Sequence, residues 1–178
     1  MNYIVLGRFQ PLHKGHALLI QKALDLAKDD DIVTVAIGSA SSQMEPRNPW
    51  TGEERKEMIE SWSKDVEVVL IDDINDPPNW VEHASNFHGE GTLVTSDKDT
   101  AELYRSSNWP VVEVKLENRE NFEGWRIRQT IKMLSTVDDF DAIREVLSAT
   151  LPEQIIDWLI KNDALYRLST FQTGVYAG

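Results

Sequence analysis

The stretch Gly7-Arg8-Phe9-Gln10-Pro11-Leu12-His13-Lys14-Gly15-His16 follows a short apolar run, Asn2 to Leu6, and leads into an apolar-periodic segment from Ala17 onwards. The run reads as a buried β-strand and the periodic segment as a helix. The ten residues therefore lie on the turn between the first strand and first helix of an α/β unit. Two imidazoles, an arginine and a lysine meet there beside a helix N-terminus, where unpaired backbone N–H groups and the helix dipole favour anions. Such a turn is suited to phosphate.

Outward from this turn the same alternation repeats. Further strand signals fall at Ile32–Ile37, Val66–Ile71, Thr92–Thr95 and Val111–Val114, short and often β-branched, as for parallel strands covered on both faces. Between them, Leu19, Ile20, Ala23, Leu24 and Ala27 make a helical stripe. Thr51 with Glu54 three residues on predicts a capped helix start, and helices are expected near Trp80 and over Lys98–Ser106. The pattern predicts an α/β fold with a Rossmann-like, doubly wound parallel sheet of about five strands. From about Gly124 the strands stop. Arg126–Leu134, Phe140–Ala149 and Pro152–Lys161 read as helices of a cap (124–162) on a domain spanning 1–162. The tail, 163–178, reads as an extra strand or a poorly ordered end.

Composition narrows the function classes. The chain has 178 residues, of which 41% are hydrophobic and 27% charged, as in an ordinary globular protein. Its formal charge of −12 argues against a broad nucleic-acid or anionic-membrane surface. A small phosphorylated ligand needs only a local cationic cluster, for which Arg8, Lys14, Arg47, Arg126, Arg128 and Lys132 are candidates. No apolar run is long enough to suggest a membrane span, and no secretory signal is expected. The absence of cysteine excludes disulfides and thiolate metal sites, and makes the cytoplasm the expected compartment.

The first motif resembles the His-x-Gly-His signature of the nucleotidyltransferase superfamily. A second segment, Gly38-Ser39-Ala40 and then Asn48-Pro49-Trp50-Thr51-Gly52-Glu53-Glu54-Arg55, narrows this. Its Asn-Pro-x-Thr-x-x-Glu-Arg pattern is similar to archaeal-type nicotinamide mononucleotide adenylyltransferases and to the adenylyltransferase half of Nudix-linked bifunctional enzymes. Asp73-Ile74-Asn75 and Trp80-Val81-Glu82-His83 resemble the family's nicotinamide-side loop and helix start. Ser96-Asp97-Lys98-Asp99 resembles the Lys-Asp turn of the Nudix-linked branch, or is a capped helix start with Asp97 or Asp99 as the cap.

The resemblance implies transfer of an adenylyl group from ATP to nicotinamide mononucleotide, yielding NAD and pyrophosphate, with Mg²⁺ accompanying ATP and no residue assigned to metal. It implies catalytic roles for His13, His16, Arg8 and Arg128. It implies ATP or phosphate contacts for Gly7, Phe9, Lys14, Gly15, Arg47, Gly124, Arg126 and Ile127. Nicotinamide mononucleotide would meet Gly38, Ser39, Asp73, Ile74, Asn75 and Trp80, whose indole is suited to stack on a pyridinium. Arg55 is expected to be structural, holding its helix against the loop. Relatives are commonly multimeric, so a homo-oligomer is compatible, and no Nudix half is expected.

One motif departs. Relatives close the site with a Ser-Gly-Thr-x-Ile-Arg type sequence, and here the matching positions read Glu123-Gly124-Trp125-Arg126-Ile127-Arg128. Two hydroxyl contacts are lost, Glu123 would repel phosphate unless turned away, and Arg126 adds a charge. The departure keeps two other readings open. One is an adenylyl- or cytidylyltransferase with another phosphorylated acceptor, and the other is a nucleotide-binding regulatory protein without turnover.

Overall fold

The computed structural model describes residues 1–74, 76–117 and 122–171. Strand β1 (Asn2–Gly7) leads to helix α1 (Lys14–Leu26), β2 (Ile32–Ile37), α2 (Gly52–Trp62) and β3 (Glu67–Leu70). A 3₁₀ turn at Pro77–Asn79 then opens α3 (Trp80–His88), followed by β4 (Thr92–Thr95), α4 (Lys98–Ser106) and β5 (Val111–Glu113). Helices α5 (Gly124–Leu134), α6 (Phe140–Leu147), α7 (Glu153–Lys161) and α8 (Arg167–Thr170) complete the described residues. The strands form one parallel sheet in the order β3-β2-β1-β4-β5.

Alternation along the central strands explains the two layers of helices. Val5, Val35, Ile37 and Val94 point into one core with Leu19, Ile20 and Ala23 of α1 and Met58 and Ile59 of α2. Their neighbours Ile4, Ala36 and Leu93 point the other way, against Val81 and Ala84 of α3 and Tyr104 of α4. Helices on both faces make the sheet doubly wound, as the sequence predicts. Burial of Ile20 alone contributes about 2 kcal/mol, and the stripe it belongs to fixes α1 beneath the motif. The strand order reverses between β1 and β4, so the crevice for ligands lies at the carboxyl ends there.

Element ends differ from the sequence reading by small amounts, except in the tail. Helix α5 starts at Gly124, two residues before the expected Arg126, and α6 stops at Leu147 instead of Ala149. No strand forms between 163 and 171. Ala164, Leu165 and Leu168 are buried in the main core, and a short helix, α8, packs beside α5.

Candidate active site

The loops after β1 and β2 start side by side, because Gly7 pairs with Ile37 and the Gly38 N–H donates to the Gly7 carbonyl at 2.9 Å. Arg55 locks them together. It is 0% exposed, and its guanidinium donates to the carbonyls of Thr51, Arg8, Gly38, Ser39 and Ala40 at 2.9–3.2 Å. Burial first, then the charge of Arg8, lowers its pKa to about 10, partly offset by Asp73; it is still charged at neutral pH. Gln10 adds a second tie, exchanging two bonds with the Trp50 backbone at 3.0 and 3.1 Å. Arg55 is therefore the structural residue expected.

His13 is the N-cap of α1, and His16 stands at the third helical position. Each imidazole Nδ1 accepts the other residue's backbone N–H, at 3.2 Å for His13 and 3.4 Å for His16. This is a capping box built from two histidines in place of the usual hydroxyl and carboxylate. It also fixes chemistry. With Nδ1 accepting, the neutral ring carries its proton on Nε2, so each imidazole presents an Nε2–H donor. Burial pushes His13 down to about 4, and burial together with His13 pushes His16 well below the ordinary histidine value. The rings stack with centroids 3.6 Å apart and planes 15° apart. Phe9, buried and at φ 50°, tilts against His16 at 4.7 Å, while Phe122 stacks beside His13 at 6.1 Å. The pair lines a small hollow with Gly15, Ser96 and Phe122.

Gly15 is needed for this stack. A Cβ there would lie 2.9 Å from the Phe122 Cβ and 3.1 Å from the His13 ring. Gly15→Ala is expected to displace the His13 ring and lower kcat about tenfold, with the melting temperature reduced by only a few degrees. An unchanged kcat in a folded variant would show that the ring needs no such fit.

Beside the histidines opens a cleft of about 930 Å³, lined by Arg8, Arg47, Arg128, Phe122, Glu123, Gly124 and Trp125. Three cations face one another. Arg128 is lowered to about 10, by burial and then by Arg8 and Arg47; Arg8 is lowered by burial and Arg47, against the pull of Asp73 and Glu45. Among the described residues no carboxylate forms an ion pair with any of the three. Arg128 donates to the Gln10 carbonyl at 3.0 Å, which aims it at the first motif. A Cβ on Gly124 would come 3.0 Å from its Nη1, so the glycine of the altered closing motif leaves room for that guanidinium. Glu123 caps no backbone N–H; its carboxylate pairs with the Arg126 Nε at 3.0 Å, and the Arg126 guanidinium lies over Trp125 at 5.1 Å. The two added charges thus cancel locally.

Other sequence-assigned residues fall elsewhere. The Lys14 ammonium donates to the Ser148 carbonyl, tying α1 to the end of α6, and does not line the arginine cleft. Phe9 and Ile127 are buried and do not line the arginine cleft. The Asp73 loop adjoins Arg8 and Arg55, and Ile74 is half-buried beside it. Asn75 lies outside the described residues. Trp80 is half-buried, its ring edge-on to Tyr104 at 6.5 Å, and does not line the arginine cleft. Asp97 caps α4 through the Thr100 N–H at 2.9 Å. Gln10 and Phe122 were not assigned from sequence. Gln10 lay in the quoted motif, whereas nothing around Phe122 marked it. Among the described residues no three His, Asp or Glu side chains form a metal cluster.

A family model described as cytidylyltransferase-like matches residues 4–167. A nicotinamide-nucleotide adenylyltransferase of Methanolobus tindarius is 30% identical over 170 residues, covering 93% of this chain and 91% of its own. One from Picrophilus torridus is 31% identical over 134 residues, 72% and 78% of the two chains. Among solved structures, a bifunctional NMN adenylyltransferase/ADP ribose pyrophosphatase of Francisella tularensis superposes with a TM-score of 0.66 at 22% identity over 94% of this chain. This chain spans about half (51%) of that enzyme's length. A form of that enzyme crystallised with AMP and a manganese ion gives 0.62 at 21% identity, covering 92% of this chain and 53% of its own.

Proposed function

We propose, since this chain belongs to the cytidylyltransferase-like family, that it transfers the adenylyl group of ATP to nicotinamide mononucleotide, forming NAD and pyrophosphate. A phosphate oxygen of the mononucleotide attacks the α-phosphorus of ATP. The new P–O bond forms in line as the bond to the β-phosphate oxygen breaks, and pyrophosphate departs with the electron pair. No protein nucleophile is required, only position and charge neutralisation. The observation that carries the reading is the stacked His13–His16 pair, held by reciprocal capping beside three arginines that form no ion pair with a carboxylate among the described residues. Neutral donors and guanidinium forks stabilise the charge that grows on the α- and β-phosphate oxygens.

Mg²⁺ suits this chemistry as a companion of the triphosphate, since it binds through phosphates and few protein ligands and would neutralise the leaving pyrophosphate. Among the described residues the cleft offers it Glu123 as its one lining carboxylate, already paired with Arg126. The mononucleotide is assigned to the Gly38–Ser39 turn, the Asp73–Ile74 loop and Trp80. No helix of the described residues is long and apolar enough to cross a membrane.

The test is a coupled assay with ATP, nicotinamide mononucleotide and Mg²⁺. NAD and pyrophosphate should appear in equal amounts. Pyrophosphate released only with a different acceptor, or neither product at high enzyme concentration, would overturn the reading. Trp80→Ala should raise KM for the mononucleotide about tenfold with ATP little affected; equal changes for both substrates would count against stacking.

A further inference from the structure

We propose that Arg167 is a positioning residue: through Glu54 and Pro49 it fixes the loop that carries Arg47, so α8 sets where that guanidinium meets the triphosphate. The inference rests on the reading of the cleft as a triphosphate site. Arg47 stands on a tight turn, where Asn48 and Glu45 exchange backbone bonds at 3.0 and 3.3 Å and the Asn48 amide donates to the Glu45 carboxylate at 2.6 Å. That closes the turn on itself but does not orient it. Orientation comes from the turn's C-terminal flank. There the Glu54 carboxylate accepts the Thr51 N–H at 2.9 Å, and the Thr51 hydroxyl accepts the Glu54 N–H at 3.1 Å.

Arg167 joins this cap from 113 residues away. Its Nη2 donates to Glu54 Oε1 at 2.7 Å, its Nη1 to Glu54 Oε2, and the same Nη1 to the Pro49 carbonyl at 3.3 Å. A fork that holds both carboxylate oxygens and a loop carbonyl constrains direction as well as distance. Burial pushes the Glu54 carboxyl up, but its bonds to Arg167 and Thr51 outweigh that and hold it below the usual range. The fork is itself anchored, because Leu165 and Leu168 on either side are buried in the main core. Leu168 and Phe171 also line a hollow with Pro46 and Arg128, so α8 lies beside both the Arg47 turn and the helix that carries Arg128.

The test is a double-mutant cycle between Arg167 and Arg47, read by NAD formation and by calorimetric binding of inorganic tripolyphosphate. Arg167→Ala should raise KM for ATP about fivefold with KM for the mononucleotide unchanged. In an Arg47→Ala background it should add nothing, because its effect passes through Arg47. Arg167→Lys, which keeps the charge without the fork, should recover part of the loss, and carries the cycle if the alanine variant does not fold. Additive effects in the Arg47→Ala background, or equal changes in both KM values, would overturn the inference while NAD synthesis stands. If the unaltered protein makes no NAD, the proposed reaction fails and tripolyphosphate binding alone decides: loss on Arg167→Ala only when Arg47 is present supports the inference, and no binding or no such dependence overturns it.

Discussion

His16→Ala is expected to lower kcat for NAD formation about 10²- to 10³-fold, the usual cost of removing one fixed donor from a developing oxyanion. The argument rests on how the donor is fixed. His16 Nδ1 accepts the His13 N–H, so in the neutral ring the proton sits on Nε2, the nitrogen left to donate. Its ring is held between His13 at 3.6 Å and Phe9 at 4.7 Å, so little reorganisation accompanies the reaction. Alanine leaves the helix start with one cap bond of two, because the His13 side chain still accepts the residue 16 N–H. Stability should therefore fall by about 1 kcal/mol or less. The rate and the urea midpoint are measured together. A large loss of rate with a small shift of midpoint is the expected pair, whereas a kcat within threefold of the parent removes His16 from the reaction. Because the rings cap each other, the His13→Ala/His16→Ala double variant should cost less than the two single losses combined.

Arg55→Leu is expected to cost about 3–5 kcal/mol of stability, within the range for breaking a buried, fully bonded ionic group. The guanidinium supplies donors to five carbonyls that end β1 and β2 and begin α2, and these have few substitutes once it is gone. Leucine fills part of the volume but leaves buried acceptors without donors. Activity should fall with stability, since the Arg8 and Ser39 carbonyls belong to the loops that form the cleft. Urea unfolding followed by far-ultraviolet circular dichroism checks this. A loss under about 1 kcal/mol would mean that water replaces the guanidinium and that the loops hold without it.

The parts of the molecule legible in the sequence are those fixed by local pattern. Val33, Val35 and Ile37 of β2, Leu19 to Ala23 of α1 and the Thr51–Glu54 cap each carry their signal within a few residues, and each forms as read. Arg55 reads as structural, holding its helix against the loop, and five carbonyls around it give the reason. Interactions across the chain were not legible. Lys14 carries a charge that the motif's pattern assigns to phosphate, yet it donates to a carbonyl 134 residues on. Helix α8 is four residues long with Leu168 its one buried apolar residue, too little to show a period, and its partner Glu54 lies far back in the chain. The altered closing motif was legible as a change but not in its outcome: the pairing of Glu123 with Arg126 depends on the helix starting at Gly124.

The central claim is that Arg8, Arg47 and Arg128 converge with the two imidazoles on one polyphosphate. A crystal structure soaked with a non-hydrolysable ATP analogue and nicotinamide mononucleotide tests it directly. The account predicts all three guanidiniums on phosphate oxygens, and His13 and His16 donating from Nε2 to the oxygens at the α- and β-phosphorus. A triphosphate bound outside this cleft, or contacted by the imidazoles through neither Nε2, would contradict it.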